Sequence, residues 1–289
     1  MFYEPDRQIA PESRPLSVGT IGFAYPEWGN IFYPPSTPPS KRLAFYATQF
    51  PVVELDTTFY GIPKLAQFLT WQDHTPESFR FFLKVPQAIS HQTDFGGSCE
   101  RETAQALKDF CQLSREGLGA KLGGILLQFP PTFASNRRYA LDRLLEAGRS
   151  FPLMVEFRHK SWWNDSVVSL LKRHQVVWVS ADLAGIGEGW QVPMADPPYT
   201  PIDTGDFLYL RCCGRHGQYE SDSVELGDVT PRLYWWREQI DAISNPGKPL
   251  VVTFGNSFAG HAPACCLRCL RLFERPVPKP VQASLFDEL

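Results

Sequence analysis

Short apolar runs and amphipathic stretches alternate about eight times along this chain, and that alternation admits few folds. The apolar runs are Ser17–Thr20, Val52–Leu55, Phe79–Val85, Gly123–Phe129, Leu153–Val155, Val176–Ser180, Phe207–Cys212 and Leu250–Phe254. They are continuous rather than alternating, as strands buried on both faces must be. Helical patterns are read at Lys41–Gln49, with Ser40 as its cap, Lys64–Gln72, Glu102–Arg115, Asn136–Glu146, Val167–His174, Arg232–Ile243 and Ala262–Phe273. The expected fold class is α/β: a single (β/α)8 TIM barrel, with an irregular connection at Leu183–Asp203 between strands 6 and 7. The expected organisation is a loose leader over residues 1–15, the barrel over 16–274, and a Pro-rich linker with a tail over 275–289.

The fifth run shows what such a barrel would carry. Leu153, Met154 and Val155 lead straight into Glu156, Arg158 and His159, then Trp162 and Trp163. Charge at the end of a buried strand costs several kcal/mol unless it is paired, and barrel enzymes keep their reactive groups at that end. The same logic collects Glu54, Lys84, Glu156, Arg158, Asp182 and Arg211 as candidate catalytic residues. Tyr25, Trp28, Tyr60, His91, Gln128, His159, Trp162, Tyr209 and Asn256 are candidate substrate contacts. The cations suit a phosphate or carboxylate, the acids suit proton transfer or holding the cations, and the aromatic rings suit stacking on a base or sugar. The long aromatic loop Gly22–Pro35 is expected to cross that face and bring Tyr25 or Trp28 to its rim.

Several function classes are disfavoured. A net charge of −3 gives no general attraction to nucleic acid, so such binding would need a local basic patch. No run approaches a membrane span, and the first residues have no signal-peptide pattern, so no membrane partner is expected. The 7 Cys, an odd number, fit reduced thiols in the cytoplasm. Cys266 and Cys269 have redox-motif spacing but lie in a helical pattern and read as core packing. No metal-ligand or phosphate-loop motif is present; no metal site is expected and the cofactor is unknown.

Several blocks together resemble the YecE-like family, the domain of unknown function 72. They are Gly19, Thr20 and Gly22 with Tyr25 to Trp28; Phe32 to Pro35; Val53 to Tyr60; Phe82 to Pro86 with His91; Leu127 to Pro131; Val155 to His159 with Ser161 and Trp162; Ala181 and Asp182; Tyr209 to Arg211; and Asn256. The blocks run in order from about Val18 to Phe273. The resemblance implies a TIM barrel similar to endonuclease IV-like and xylose-isomerase-like barrels, and it implies no particular activity. This chain departs from the family's pattern with Cys213 in place of His, Cys265 in place of Asn and Phe23 in place of Trp.

Three functional readings follow. The leading one is binding or processing of a phosphate-bearing substrate, nucleic acid first among them, including phosphodiester hydrolysis. The second is a non-catalytic accessory protein of DNA maintenance. The third is a carbohydrate-active barrel using Glu54 and Glu156, against which Arg158 stands, because it would keep Glu156 ionised. The tail adds a partner. Gln282, Leu285 and Phe286 resemble the short motif by which bacterial proteins dock on the DNA sliding clamp, with Pro276, Pro278 and Pro280 as a stiff spacer.

Overall fold

The computed structural model describes residues 14–91, 98–183, 201–214 and 222–275. Most of the leader, residues 184–200 of the expected irregular connection, and the tail with Gln282, Leu285 and Phe286 lie outside the described residues.

The elements are β1 (Leu16–Ile21), α1 (Pro39–Gln49), β2 (Val52–Leu55), α2 (Leu65–Asp73), β3 (Arg80–Lys84), α3 (Gln87–Ser90), α4 (Ser98–Leu118), β4 (Leu122–Gln128), α5 (Arg138–Ala147), β5 (Leu153–Glu156), α6 (Asp165–His174), β6 (Val177–Asp182), β7 (Leu208–Cys212), α7 (Thr230–Asp241), β8 (Leu250–Phe254), α8 (Asn256–Ala259) and α9 (Ala262–Leu272). The eight strands are parallel, pair in sequence order and close by β1 against β8. The expected TIM barrel is therefore the observed fold. Closure removes sheet edges and leaves every strand covered by helices.

Helix starts differ from expectation in instructive ways. Pro38 rather than Ser40 caps α1, and Pro39 opens it. Proline is preset for the first helical position, so Ser40 falls inside the first turn. Asn164 caps α6 with its side chain, accepting from Val167 N at 3.2 Å. The short helices α3 and α8 follow strand ends directly and carry too few residues for a periodic signal.

Side chains of a strand alternate between faces, which divides the core in two. Inside the barrel lie Val52, Phe82, Leu126, Met154, Val177, Val179, Tyr209 and Val251. The larger cluster fills the space between the outer strand faces and the helices. Each such buried side chain contributes about 1.5–3 kcal/mol. Cys266 and Cys269 belong to this outer core; Cys266 Sγ donates to Gly19 O at 3.2 Å. Burial pushes the Cys269 thiol up to about 12, as expected of packing thiols rather than reactive ones. At the bottom of the barrel Arg14 Nη1 donates to Lys248 O at 2.8 Å and Leu250 N to Pro15 O at 2.8 Å, so the chain is seated on the barrel from Arg14.

Candidate active site

Parity along each strand decides which groups meet. Val52 faces the barrel interior, so Glu54 does also; Phe82 brings Lys84, Leu126 brings Gln128, Met154 brings Glu156, Tyr209 brings Arg211 and Val251 brings Thr253. These residues form the last inward layer at the C-terminal ends of the strands.

The Arg211 guanidinium lies at the centre of that layer. Its Nη2 and Nε donate to Glu54 at 2.6 and 2.9 Å, and its Nη1 donates to Glu156. Tyr209 donates its hydroxyl to Glu54 Oε2 at 2.9 Å, and Arg158 Nε donates to Glu156. Glu54 and Glu156 are fully buried. Burial alone would push the Glu156 pKa up; Arg158 and Arg211 overcome it and hold this carboxyl below its ordinary range. The charged strand ends thus have partners, in the order Glu54, Arg211, Glu156, Arg158.

Above this ladder opens a cavity of about 410 Å³. Lys84, Gln128, Arg158, Arg211, Asp56, Tyr25, Tyr60, Cys213 and Asn256 are among its walls. The Lys84 ammonium sits over the Phe59 ring, 3.9 Å from its centroid. Burial, then the neighbouring Arg211, lowers the Lys84 pKa. Asp56 shifts the other way: burial and Glu54 raise its pKa. Burial pushes Cys213 up to about 11. Gly214 follows Cys213 with φ +65°, and a side chain there would put Cβ 2.0 Å from Ser257 O, so glycine is required at this wall.

The other expected contacts distribute as follows. His91 stands beside the Phe59 ring at 4.9 Å, its pKa lowered by burial and then by Lys84 and Arg158. Tyr60 is 75% exposed at the cavity lip. Gln128 Nε2 donates to Phe129 O at 3.0 Å. Tyr209 lies beneath the cavity, in the barrel interior.

Four candidates are corrected by the structure. Asp182 faces outward, because Val177 and Val179 take the inward parity of β6; it accepts from Trp236 Nε1 and Arg232 Nη2, both at 2.6 Å, and ties β6 to α7. Trp28 does not reach the rim; it is buried among Tyr25, Phe32, Tyr33 and His261. Trp162 is buried between Phe133 and Phe157, stacked at 5.2 and 4.6 Å. His159 accepts from Ser161 N at 3.2 Å and caps the turn Lys160–Trp162. Aromatic and imidazole groups just past a strand end satisfy local packing and capping before they face a ligand.

Asp56, Phe59 and Thr253 are not among the expected site residues. Thr253 approaches Glu54 Oε2 at 3.4 Å, and Phe59 underlies Lys84. Counting two residues on from an inward strand position would have found Thr253 and Asp56. Phe59 depends on a short turn that no periodicity marks. Among the described residues no cluster of three or more His, Cys, Asp or Glu side chains could hold a metal, and no helix is long and apolar enough to cross a membrane.

Comparison with known proteins agrees with this architecture. The chain is 27% identical to UPF0759 protein YunF of Bacillus subtilis (strain 168) over 264 residues, covering 81% of this chain and 88% of that one. It is 30% identical to UPF0759 protein YecE of Escherichia coli (strain K12) over 150 residues, 51% of this chain and 50% of that one. Among solved structures, a DUF72 family protein of Thermotoga maritima MSB8 superposes with a TM-score of 0.67 at 26% identity, covering 90% of this chain and 98% of the other. One from Enterococcus faecalis V583 superposes with a TM-score of 0.71 at 24% identity, covering 92% and 99%, a likeness of fold. The model of the family described as "Protein of unknown function DUF72" matches residues 17–285, and the chain belongs to that family.

Proposed function

We propose that the strand-end cavity binds a phosphate-bearing substrate, with Arg158 as its principal anchor and Lys84 and Gln128 beside it. One observation carries this reading. Arg211 and Arg158 occupy both inner carboxylates, Glu54 and Glu156, while the Lys84 ammonium stands over the Phe59 ring with neither of them in an ion pair. Lys84 and Arg158 present their donors to the partly desolvated cavity, whose wall also carries Asp56 and Asp222, and a desolvated donor is where an anion gains most.

The volume of about 410 Å³ suits a molecule of nucleotide or sugar-phosphate size. Tyr25 and Tyr60 at the wall bring rings to a base or sugar. A nucleic acid would enter by an end or by one extruded nucleotide, which needs no basic stripe along the surface. The tail residues Gln282, Leu285 and Phe286 would bring such a chain to DNA through the sliding clamp, and Leu285→Ala/Phe286→Ala should abolish clamp binding by calorimetry. The carbohydrate reading loses support, because Arg211 ion-pairs with both carboxylates and, with Arg158, holds the Glu156 pKa below its ordinary value, which unfits Glu156 as a general acid.

Calorimetric titration with glycerol 3-phosphate, a nucleoside monophosphate and a short single strand tests the reading. Arg158→Ala should weaken the best of them by about tenfold or more, the worth of one charged hydrogen bond. No phosphate dependence in any of the three would remove it.

A further inference from the structure

Lys84 is the last residue of β3 and projects into the cavity between Glu54 of β2 and Gln128 of β4. Among the described residues no carboxylate comes within ion-pairing distance of its ammonium; its close neighbour is the Phe59 ring. Phosphate binding alone gives a poor account of that arrangement. Arg158 and Arg211 already supply fixed charge, and they cannot deprotonate. A lysine held in a partly dry cavity beside another cation is the environment that makes an amine nucleophilic.

We infer that Lys84 captures the open-chain carbonyl of a phosphorylated sugar as an imine, while Arg158 holds the phosphate. This deepens, and rests on, the phosphate-binding reading of the same cavity. The titratable groups around Lys84 in the cavity are Glu54 and Asp56 from the second strand and its turn, Glu156 and Arg158 from the fifth, Arg211 and Cys213 from the seventh, Asp222 beyond it, and His91 after α3. Burial and Arg211 favour the neutral amine; Glu54 and Glu156 oppose it but are themselves engaged by arginine.

In the step, the Nζ lone pair attacks the carbonyl carbon and the C=O π pair moves to oxygen, which takes a proton. The nitrogen loses a proton, the carbinolamine loses water, and C=N replaces C=O. Amine and carbonyl give imine and water, with nothing oxidised or reduced. Asp56 lines the cavity without an arginine ion pair among the described residues, and burial with Glu54 raises its affinity for a proton, so it carries the protons of the step. The imine nitrogen then draws electrons from the neighbouring carbon. That is the chemistry of aldol cleavage or of elimination next to the former carbonyl. Two substrates share it: a free sugar phosphate, and the deoxyribose phosphate of an abasic site in DNA.

The test is borohydride trapping on the full chain at neutral pH, with 2-deoxyribose 5-phosphate in one arm and an oligonucleotide carrying one abasic site in the other, followed by peptide mass mapping. The expected result is one adduct at Lys84, formed at least about tenfold faster than at exposed Lys64, in the arm that holds the true source. Lys84→Arg should lose the adduct, whereas Lys64→Arg, at an exposed lysine, should form it at the parent rate. Adducts spread over surface lysines, or none in either arm, overturn the inference. Glycerol 3-phosphate binding without a Lys84 adduct sinks the imine and spares the phosphate site, whereas loss of glycerol 3-phosphate binding by the parent chain sinks that site itself.

Discussion

The Trp28 indole donates to Asn256 Oδ1 at 3.2 Å, joining the loop after the first strand to the end of the eighth. Ala262 N donates to the same oxygen at 3.0 Å, so the amide cannot turn over. Asn256 Nδ2 is then left buried with no acceptor among the described residues, on a residue that lines the cavity. An unmatched buried donor costs about 1–3 kcal/mol, and a ligand oxygen would recover it. Asn256→Asp keeps the acceptor for Trp28 and exchanges the donor for a negative oxygen. It should weaken glycerol 3-phosphate binding by about tenfold or more in calorimetry. Unchanged affinity would place Nδ2 outside the ligand site.

Arg211→Met should be the most damaging single change at the cavity floor. It leaves Glu54 and Glu156 buried with their main counter-charge gone, a loss of about 3–5 kcal/mol. Urea unfolding should show the unfolding free energy falling by that amount, and the midpoint falling with it. The triple variant Glu54→Gln/Glu156→Gln/Arg211→Met should recover much of it, because no buried charge is then stranded.

The pH dependence of stability should carry the signature of Glu156. Its pKa in the folded chain lies below the ordinary carboxylate value, so its contribution is complete above the unfolded value of about 4.3 and is lost as pH falls through the folded one. The advantage of the parent chain over Glu156→Gln, measured by denaturant unfolding, should be constant from pH 7 to about 5 and shrink below about 4.3. An advantage that grows on acidification would reverse the sign assigned here.

Asp182→Asn separates the outward acid from the cavity. It weakens the grip on Arg232 and Trp236 and should cost about 3–5 kcal/mol of stability while leaving phosphate affinity within about twofold. A selective loss of binding at unchanged stability would return Asp182 to the site.

Glu54 and Asp182 show where reading the sequence succeeds and where it stops. Both are acids at the end of an apolar run, and β2 and β8 match their expected bounds to the residue. The strand pattern tells that charge arrives at a strand end but not which face it takes. In β6, Val177, Trp178 and Val179 are apolar on both sides, so parity is invisible until the barrel closes. The ring stack of Phe133, Trp162 and Phe157 was equally hidden, since an aromatic residue after a strand serves a core as well as a ligand. Cys213, singled out in the sequence by the resemblance, lies on the cavity wall itself.

The fork of Arg211 across β2 and β5 also constrains how the chain is made. Glu54 is translated 157 residues ahead of Arg211. A nascent chain that has released only its first six strands therefore carries two carboxylates facing the future interior with no central cation between them. Such a chain has good reason to stay open and wet, and the barrel gains a dry floor only when the seventh strand arrives. Closure itself waits for β8 to pair with β1, and a transcript ending before Arg211 should yield a chain that proteases clear.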